Sequence, residues 1–206
     1  MSLHSTLRAL IERTDLSVSE TQIDKLIQFV ELIHKWNAAY NLSAIKQPEE
    51  MLVRHILDSI VVSPYITEQK NIDVGTGPGL PGIPLAIMHP EKSFTLADSL
   101  GKRVRFVKQA IFELNLRNVT PIQGRVETLN TEKFDCIFSR AFASLSDFVN
   151  WSEHLLTSEG YFLALKGQLQ SEEISSLPDN FSVAYTTPLL VPSLRGERHL
   201  VKVVRR

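Results

Sequence analysis

From Asp73 to Gly82 the chain reads Asp-Val-Gly-Thr-Gly-Pro-Gly-Leu-Pro-Gly, after the apolar run Ile72 to Val74 and before the apolar stretch Ile83 to Met88. Glycine tolerates φ > 0 and lets a ligand approach the backbone, while a helix opening near Gly82 aims free N–H groups and its positive dipole end at the loop. The chemistry is that of a cradle for an anionic or polar ligand. Charged and small residues recur at the ends of later apolar runs: Asp98, then Gly124 to Glu127, then Ser139 and Arg140, then Lys166 and Gly167.

The loop alone leaves two ligands open. Gly77, Gly79 and Gly82 fit the dinucleotide fingerprint G-x-G-x-x-G, whereas Asp73, Gly75, Gly77 and Gly79 fit the D-x-G-x-G-x-G pattern of S-adenosylmethionine enzymes. Pro78, Pro81 and Pro84 weigh against a pyrophosphate, which needs the backbone N–H groups that proline lacks. A carboxylate at Asp98 is placed to accept from ribose hydroxyls in either case.

The elements that must position these groups follow from the pattern of apolar residues. Strand-like runs at Ile72–Val74, Phe94–Ala97, Val119–Gln123, Phe134–Ser139 and Tyr161–Leu165 alternate with helical stretches at Lys102–Asn115 and Leu145–Leu156, which predicts a parallel sheet covered on both faces. Phe181–Leu190 and His199–Val204 have only the turn-rich Pro192 to Arg198 between them, so they should pair antiparallel at one edge. In such a sheet ligands bind beyond the C-terminal strand ends, where the charged residues above converge.

Upstream, residues 1–66 read as a helical extension packed on a body of residues 67–206. Leu3 to Arg13 is a short amphipathic helix, and Ser19 with Gln22 makes a capping box for a longer one. Along it Ile23, Leu26, Ile27, Val30, Ile33, Trp36 and Tyr40 form one stripe, so its aromatics read as scaffold rather than base-stacking groups. Pro48 should open a third helix, Glu49 to about Val62. On it Arg54 and His55 are neighbours of Asp58 at i+4 and i+3, read by themselves as a solvated face with one weak ion pair.

Length and composition, 206 residues with 43% hydrophobic and 22% charged, describe an ordinary globular chain of one domain with an extension. No run reaches membrane-spanning length and no leader pattern precedes residue 20, so a cytoplasmic location is expected. Cys136 is the single cysteine, which leaves no disulfide framework or cysteine metal site. A net charge of −1 argues against a general positive field for nucleic acid, so any such contact must be local. Lys102, Arg103 and Arg105 are a candidate patch: cations at a helix start oppose its dipole, and an anionic partner would compensate.

Asp73 to Pro84, Asp98-Ser99-Leu100-Gly101-Lys102-Arg103, Ser139-Arg140-Ala141-Phe142, Leu165-Lys166-Gly167 and Arg54-His55-Ile56-Leu57-Asp58-Ser59 together resemble the bacterial small-subunit ribosomal RNA guanine-N7 methyltransferases, the RsmG or GidB family. The resemblance spans about residues 25–203 and implies an α/β, Rossmann-like seven-stranded methyltransferase fold, mostly parallel with an antiparallel edge. It implies S-adenosylmethionine as methyl donor, held by Gly75, Leu80, Val126, Glu127 and Arg140 with Gly77 and Asp98 close by, and no metal. It implies N7 of one guanine in small-subunit (16S) ribosomal RNA as acceptor, in an assembled or assembling subunit. Arg54, His55, Lys102, Arg103, Arg105 and Lys166 are the residues expected to face RNA, and the enzyme is expected to be a monomer that does not engage membranes.

The residues agree by exclusion. A cytosine-C5 enzyme needs a cysteine nucleophile, but Cys136 sits among apolar neighbours within a strand. Amino-group methylation resembles N/D-P-P-Y/F at the fourth strand end, where Ser139-Arg140-Ala141-Phe142 stands instead, and no aspartate is there to complete a ribose 2′-O set with Lys166. Guanine N7 already has a lone pair, so alignment suffices, with Arg140 orienting and no general base expected.

Overall fold

The computed structural model describes residues 2–140, 142, 144–168 and 170–206. It opens with α1 (Leu3–Ile11) and α2 (Glu20–Tyr40), the latter started by the expected reciprocal capping box of Ser19 and Gln22. The α2 stripe is buried from Ile23 to Ile33, and Trp36 and Tyr40 stack on each other at 5.1 Å, with Trp36 edge-on to Phe106 at 5.7 Å. These aromatics are scaffold.

The third helical segment departs from the uniform helix expected. It runs as α3 (Pro48–Met51), a π-helical stretch Leu52–Leu57, and α4 (Asp58–Ile60). The cause lies in its apolar spacing. Met51 and Ile56, and Leu52 and Leu57, are five residues apart and all fully buried, a spacing that a π-turn places on one face and an α-turn does not. The one extra residue in the turn rotates everything after it by roughly 100° about the helix axis. Asp58 is carried from the expected solvated face into the interior, where it is 4% exposed.

The sheet has seven strands in the order β3-β2-β1-β4-β5-β7-β6: β1 (Lys70–Val74), β2 (Ser93–Asp98), β3 (Val119–Gln123), β4 (Phe134–Ser139), β5 (Leu156–Lys166), β6 (Phe181–Pro188) and β7 (His199–Arg205). The first five are parallel; β7 runs antiparallel between β5 and β6. Helices α5 (Gly82–Met88), α6 (Gly101–Glu113), α7 (Leu145–Ser152) and α8 (Ser171–Ser175) are interspersed among the strands. The helical stretch expected over 145–156 stops early, because Glu153–Leu155 is a 3₁₀ turn feeding β5.

Side chains alternate across the strands as the pleat requires. Phe94, Leu96, Phe138, Leu163 and Leu165 pack on the face shared with α1, α2, α5 and α6, while Ile72, Val74, Ile137, Phe162 and Val203 pack on the α7 face. Burial at about 25 cal/mol per Å² of apolar surface makes these two layers the main stabilising term. They fix one edge at which the C-terminal ends of β1 to β5 meet the start of β7. Lys166 pairs with His199 there.

Candidate active site

At the ends of β1, β2 and β3 lies a crevice of about 370 Å³, lined by Gly75, Ala97, Asp98, Ser99, Arg103, Gly124, Arg125, Val126, Glu127, Phe142 and Trp151. Gly75, which lines it, opens the glycine loop, with φ of 72° at Gly75, 59° at Gly77 and 94° at Gly79. At Gly77 a Cβ would meet nothing within 4 Å, so the missing side chain leaves space for a ligand and not for the fold. Asp73, fully buried at the end of β1, shapes the loop: its Oδ2 accepts from the Thr76 hydroxyl at 2.7 Å and the Gly82 N–H at 2.9 Å. Its Oδ1 is buried without a hydrogen-bond partner among the described residues, and burial pushes the carboxyl up to about 7.

Asp98 joins the second strand to that loop. Oδ2 accepts from the Gly77 N–H and Oδ1 from the Leu100 N–H, both at 2.9 Å, and Arg103 Nη1 lies 3.3 Å from Oδ2. The crevice therefore combines two carboxylates, Asp98 and Glu127, with apolar surface from Ala97, Val126, Phe142 and Trp151. That suits a ligand carrying hydroxyl or cationic groups and a flat aromatic ring.

A second cavity of about 320 Å³ lies at the ends of β4 and β5, lined by Ile45, Arg54, His55, Asp58, Arg140, Leu165, Lys166, Gly167, Leu189 and Arg198. Asp58 is its centre: Oδ2 accepts from Arg140 Nη1 at 3.2 Å and Oδ1 from Arg198 Nε at 2.7 Å. Arg140 Nη1 also donates to the Arg54 carbonyl at 3.2 Å. The π-turn makes this possible, because the Asp58 N–H reaches back to the Val53 carbonyl instead of taking that of Arg54 as an α-helix would. Burial pulls the Arg140 guanidinium below its ordinary value, with Asp58 and Asp73 opposing; arginine stays charged throughout.

His55 is buried beside them. Its Nδ1 lies 3.1 Å from the Arg54 carbonyl, which can only accept, so Nδ1 carries the proton and Nε2 accepts from the Ser43 hydroxyl at 2.7 Å. Asn37 holds Ser43 in turn, accepting its N–H at 2.9 Å and donating to its carbonyl at 3.0 Å. Burial, and next the Arg140 charge, push His55 down to about 4. The imidazole is neutral at physiological pH.

Several sequence expectations change. The Arg54–Asp58 pair does not form: Arg54 turns out to Glu50 at 2.8 Å, while Asp58 turns in to two arginines, so the solvated-face reading of this stretch is overturned. His55 is buried and lines the second cavity beside Arg140. The row Lys102, Arg103 and Arg105 divides, since Lys102 and Arg105 are exposed but Arg103 is drawn to Asp98, which offsets the dipole cost at that helix start. Lys166 sits in the second cavity paired with Glu173 at 2.7 Å. Gly75, Asp98, Val126 and Glu127 line the first crevice, Gly77 is bonded to Asp98, Leu80 is buried in the core beside the loop, and Arg140 lines the second cavity. Ala141 lies outside the described residues.

Asp58, Arg198, Phe142 and Trp151 were missed as site residues. Arg198 had a legible signal: a strand antiparallel to its neighbours begins where they end, so the residue just before β7 must stand beside the C-terminal end of β5. Among the described residues no cluster of three or more His, Cys, Asp or Glu could hold a metal, and no helix is long and apolar enough to cross a membrane.

Solved structures share this architecture at low identity. A putative O-methyltransferase from Klebsiella pneumoniae matches with a TM-score of 0.61 and 12% identity, covering 98% of this chain and 96% of that one. The ribosomal protein L11 methylase from Lactobacillus delbrueckii subsp. bulgaricus matches at 0.56 and 16%, covering 73% and 77%. The fold is thus the Rossmann-like methyltransferase fold. Sequence relatives are much nearer: proteins called ribosomal RNA small subunit methyltransferase G are 61% identical over 194 residues in Aliivibrio fischeri, covering 93% of this chain and 92% of the relative, and 56% identical over all of both chains in Psychromonas ingrahamii. The family described as rRNA small subunit methyltransferase G, GidB, matches residues 22–201. With the glycine cradle, the strand-end carboxylate and the buried arginine cluster in place, the chain belongs to the rRNA small subunit methyltransferase G family.

Proposed function

We propose that the protein transfers a methyl group from S-adenosylmethionine to N7 of one guanine in small-subunit ribosomal RNA. The observation that carries this reading is the pair of cavities at the strand ends, one with Asp98 and Glu127 and one with Arg140 and Arg198. The donor supplies an electrophilic methyl on a sulfonium. Gly75, Asp98 and Glu127 would hold its polar groups, and Val126, Phe142 and Trp151 its adenine. The space at Gly77 and the carboxylates fit that molecule.

The acceptor side supports N7 by what its residues are. Arginines 140 and 198 stay cationic and cannot take a proton, Lys166 is paired with Glu173, and His55 is neutral with its free nitrogen committed to Ser43. Cys136 is fully buried, and burial pushes its thiol far up, so it is no nucleophile. What remains is positioning and cation-lined binding, which a guanine N7 lone pair needs and an amino group or ribose hydroxyl does not find sufficient. Exposed Lys102 and Arg105 at the start of α6 would add phosphate contacts outside the cavities. The substrate in this reading is RNA of an assembled or assembling subunit, and the working form a cytoplasmic monomer.

The test is to incubate the protein with S-adenosylmethionine and small-subunit particles or free RNA, then map methyl groups by mass. The expected product is one methylated guanine whose imidazole ring opens in alkali, as N7-methylated guanines do. A methyl group on a ribose or an exocyclic amine would overturn the N7 assignment.

A further inference from the structure

We propose that Asp58 is a positioning residue for the reaction, holding Arg140 and Arg198 together so that their remaining donors grip the phosphate of the target nucleotide. The inference rests on the reading above for the identity of the acceptor. It stands on geometry that joins three distant parts of the chain: Asp58 follows the π-turn, Arg140 follows β4 and Arg198 precedes β7.

Two guanidinium groups this close repel and would splay toward solvent without a buried carboxylate between them. Asp58 uses one oxygen on each, and its side chain is 5% exposed while those of Arg140 and Arg198 are 23% and 27% exposed. All three line the cavity, and the two cations present more of their surface there than the carboxylate does. The cavity's other charged lining residues do not cancel them: Arg54 is paired outward with Glu50 and Lys166 with Glu173, Asp73 reaches Arg140 only through its charge from outside the cavity, and the trio of one aspartate and two arginines keeps a net positive charge. Two further anchors fix the forks, the Arg54 carbonyl on Arg140 and the Glu197 carbonyl on Arg198 at 2.9 Å. Such a constellation is built for an anion.

The choice between phosphate and base edge follows from the chemistry. An arginine that reads a guanine edge takes N7 together with O6, and N7 is the atom whose lone pair must stay open for attack. A phosphodiester offers oxygens that guanidinium forks match without touching the base. Asp58 then acts through the two arginines and does not touch the substrate.

The test is a double-mutant cycle of Asp58→Asn and Arg198→Gln, read by single-turnover methyl transfer, donor affinity and the salt dependence of RNA binding. Asp58→Asn should slow transfer at least tenfold and leave the affinity for S-adenosylmethionine unchanged. Arg198→Gln should slow it similarly and flatten the salt slope by about 0.7, the share of one phosphate on a single strand. The double variant should be little worse than either single one. Full rate in Asp58→Asn, or losses that multiply in the double variant, would overturn the proposal. Should Asp58→Asn not fold, Arg198→Lys decides: it keeps the charge without the fork, so a wild-type rate and slope refute a fork held by Asp58, whereas a slowed rate with the slope retained supports it. Wild-type protein that methylates no guanine N7 defeats the functional reading itself, an outcome separate from these.

Discussion

The amide of Gly77 donates to Oδ2 of Asp98 at 2.9 Å, so a glycine held at φ 59° and a carboxylate at the end of the next strand form one rigid unit beside the strand-end crevice. Replacing that oxygen by an NH₂ sets donor against donor. With the Leu100 N–H retaining the other oxygen, Asp98→Asn leaves the Gly77 N–H buried and unpaired, at about 1–3 kcal/mol. Calorimetry with S-adenosylmethionine should show binding weakened tenfold or more. Wild-type affinity in a folded Asp98→Asn protein would separate this carboxylate from the donor site.

Two glycines of the loop should respond differently to alanine. A Cβ on Gly77 enters open space, so Gly77→Ala bears only the left-handed backbone cost of roughly 1–2 kcal/mol, yet should abolish donor binding because the methyl group occupies the ligand's space. A Cβ on Gly79 would lie 2.5 Å from Ile83 Cδ1, so Gly79→Ala should lower the melting temperature further. Equal melting points and equal donor affinities in the two variants would refute the distinction.

Stability should carry the signature of Asp73. Its folded carboxyl is raised from 3.8 to about 7, so the folded state binds the proton more tightly than the unfolded one. The contribution is full below the unfolded value and is lost as pH rises from about 4 through about 7. Asp73→Asn keeps an acceptor for Thr76 and Gly82 and removes the titration. The melting temperature of wild type should fall relative to that variant between pH 5 and about 7.5, a difference that pH-dependent denaturation curves measure directly.

In Asp73→Asn protein, which lacks the titration near 7, the methyl-transfer step should be nearly flat from about pH 6.5 to 8.5 with donor and RNA saturating, because the acceptor nitrogen loses no proton and His55, pushed down to about 4, does not titrate there. The opposite sign applies to His55 in stability. Its neutral form is buried, so its contribution is present above pH 6.5 and is lost as pH falls toward 4. A tenfold rise in rate per pH unit that disappears in His55→Gln would establish general-base chemistry instead.

The basic start of α6 should split by function. Lys102→Ala with Arg105→Ala should flatten the salt dependence of RNA binding and spare donor affinity, since both side chains are exposed. Arg103→Ala should do the reverse, weakening the donor through Asp98. An unchanged salt slope in the first variant would return Lys102 and Arg105 to a solvated face.

What the sequence determined by itself was local. The glycine loop, the capping box at Ser19 and the five parallel strands with an antiparallel edge follow from φ requirements, capping chemistry and apolar periodicity, each readable within a short window. The crevice at the ends of β1 to β3 was legible for the same reason, because its residues sit at strand ends and a parallel sheet brings those ends to one edge. Of the arginine cavity only the strand-end residues, Arg198 among them, were. Its Asp58 read as half of a surface pair at i,i+4, and only the packing of Met51, Leu52, Ile56 and Leu57 against the core selected the π-turn that swings it inward. Its partners come from the end of β4 and the start of β7, some 82 and 140 positions along the chain. Burial decides whether a carboxylate is a solvated charge or the clamp of two cations, and burial is set by tertiary contacts that no local pattern of residues encodes.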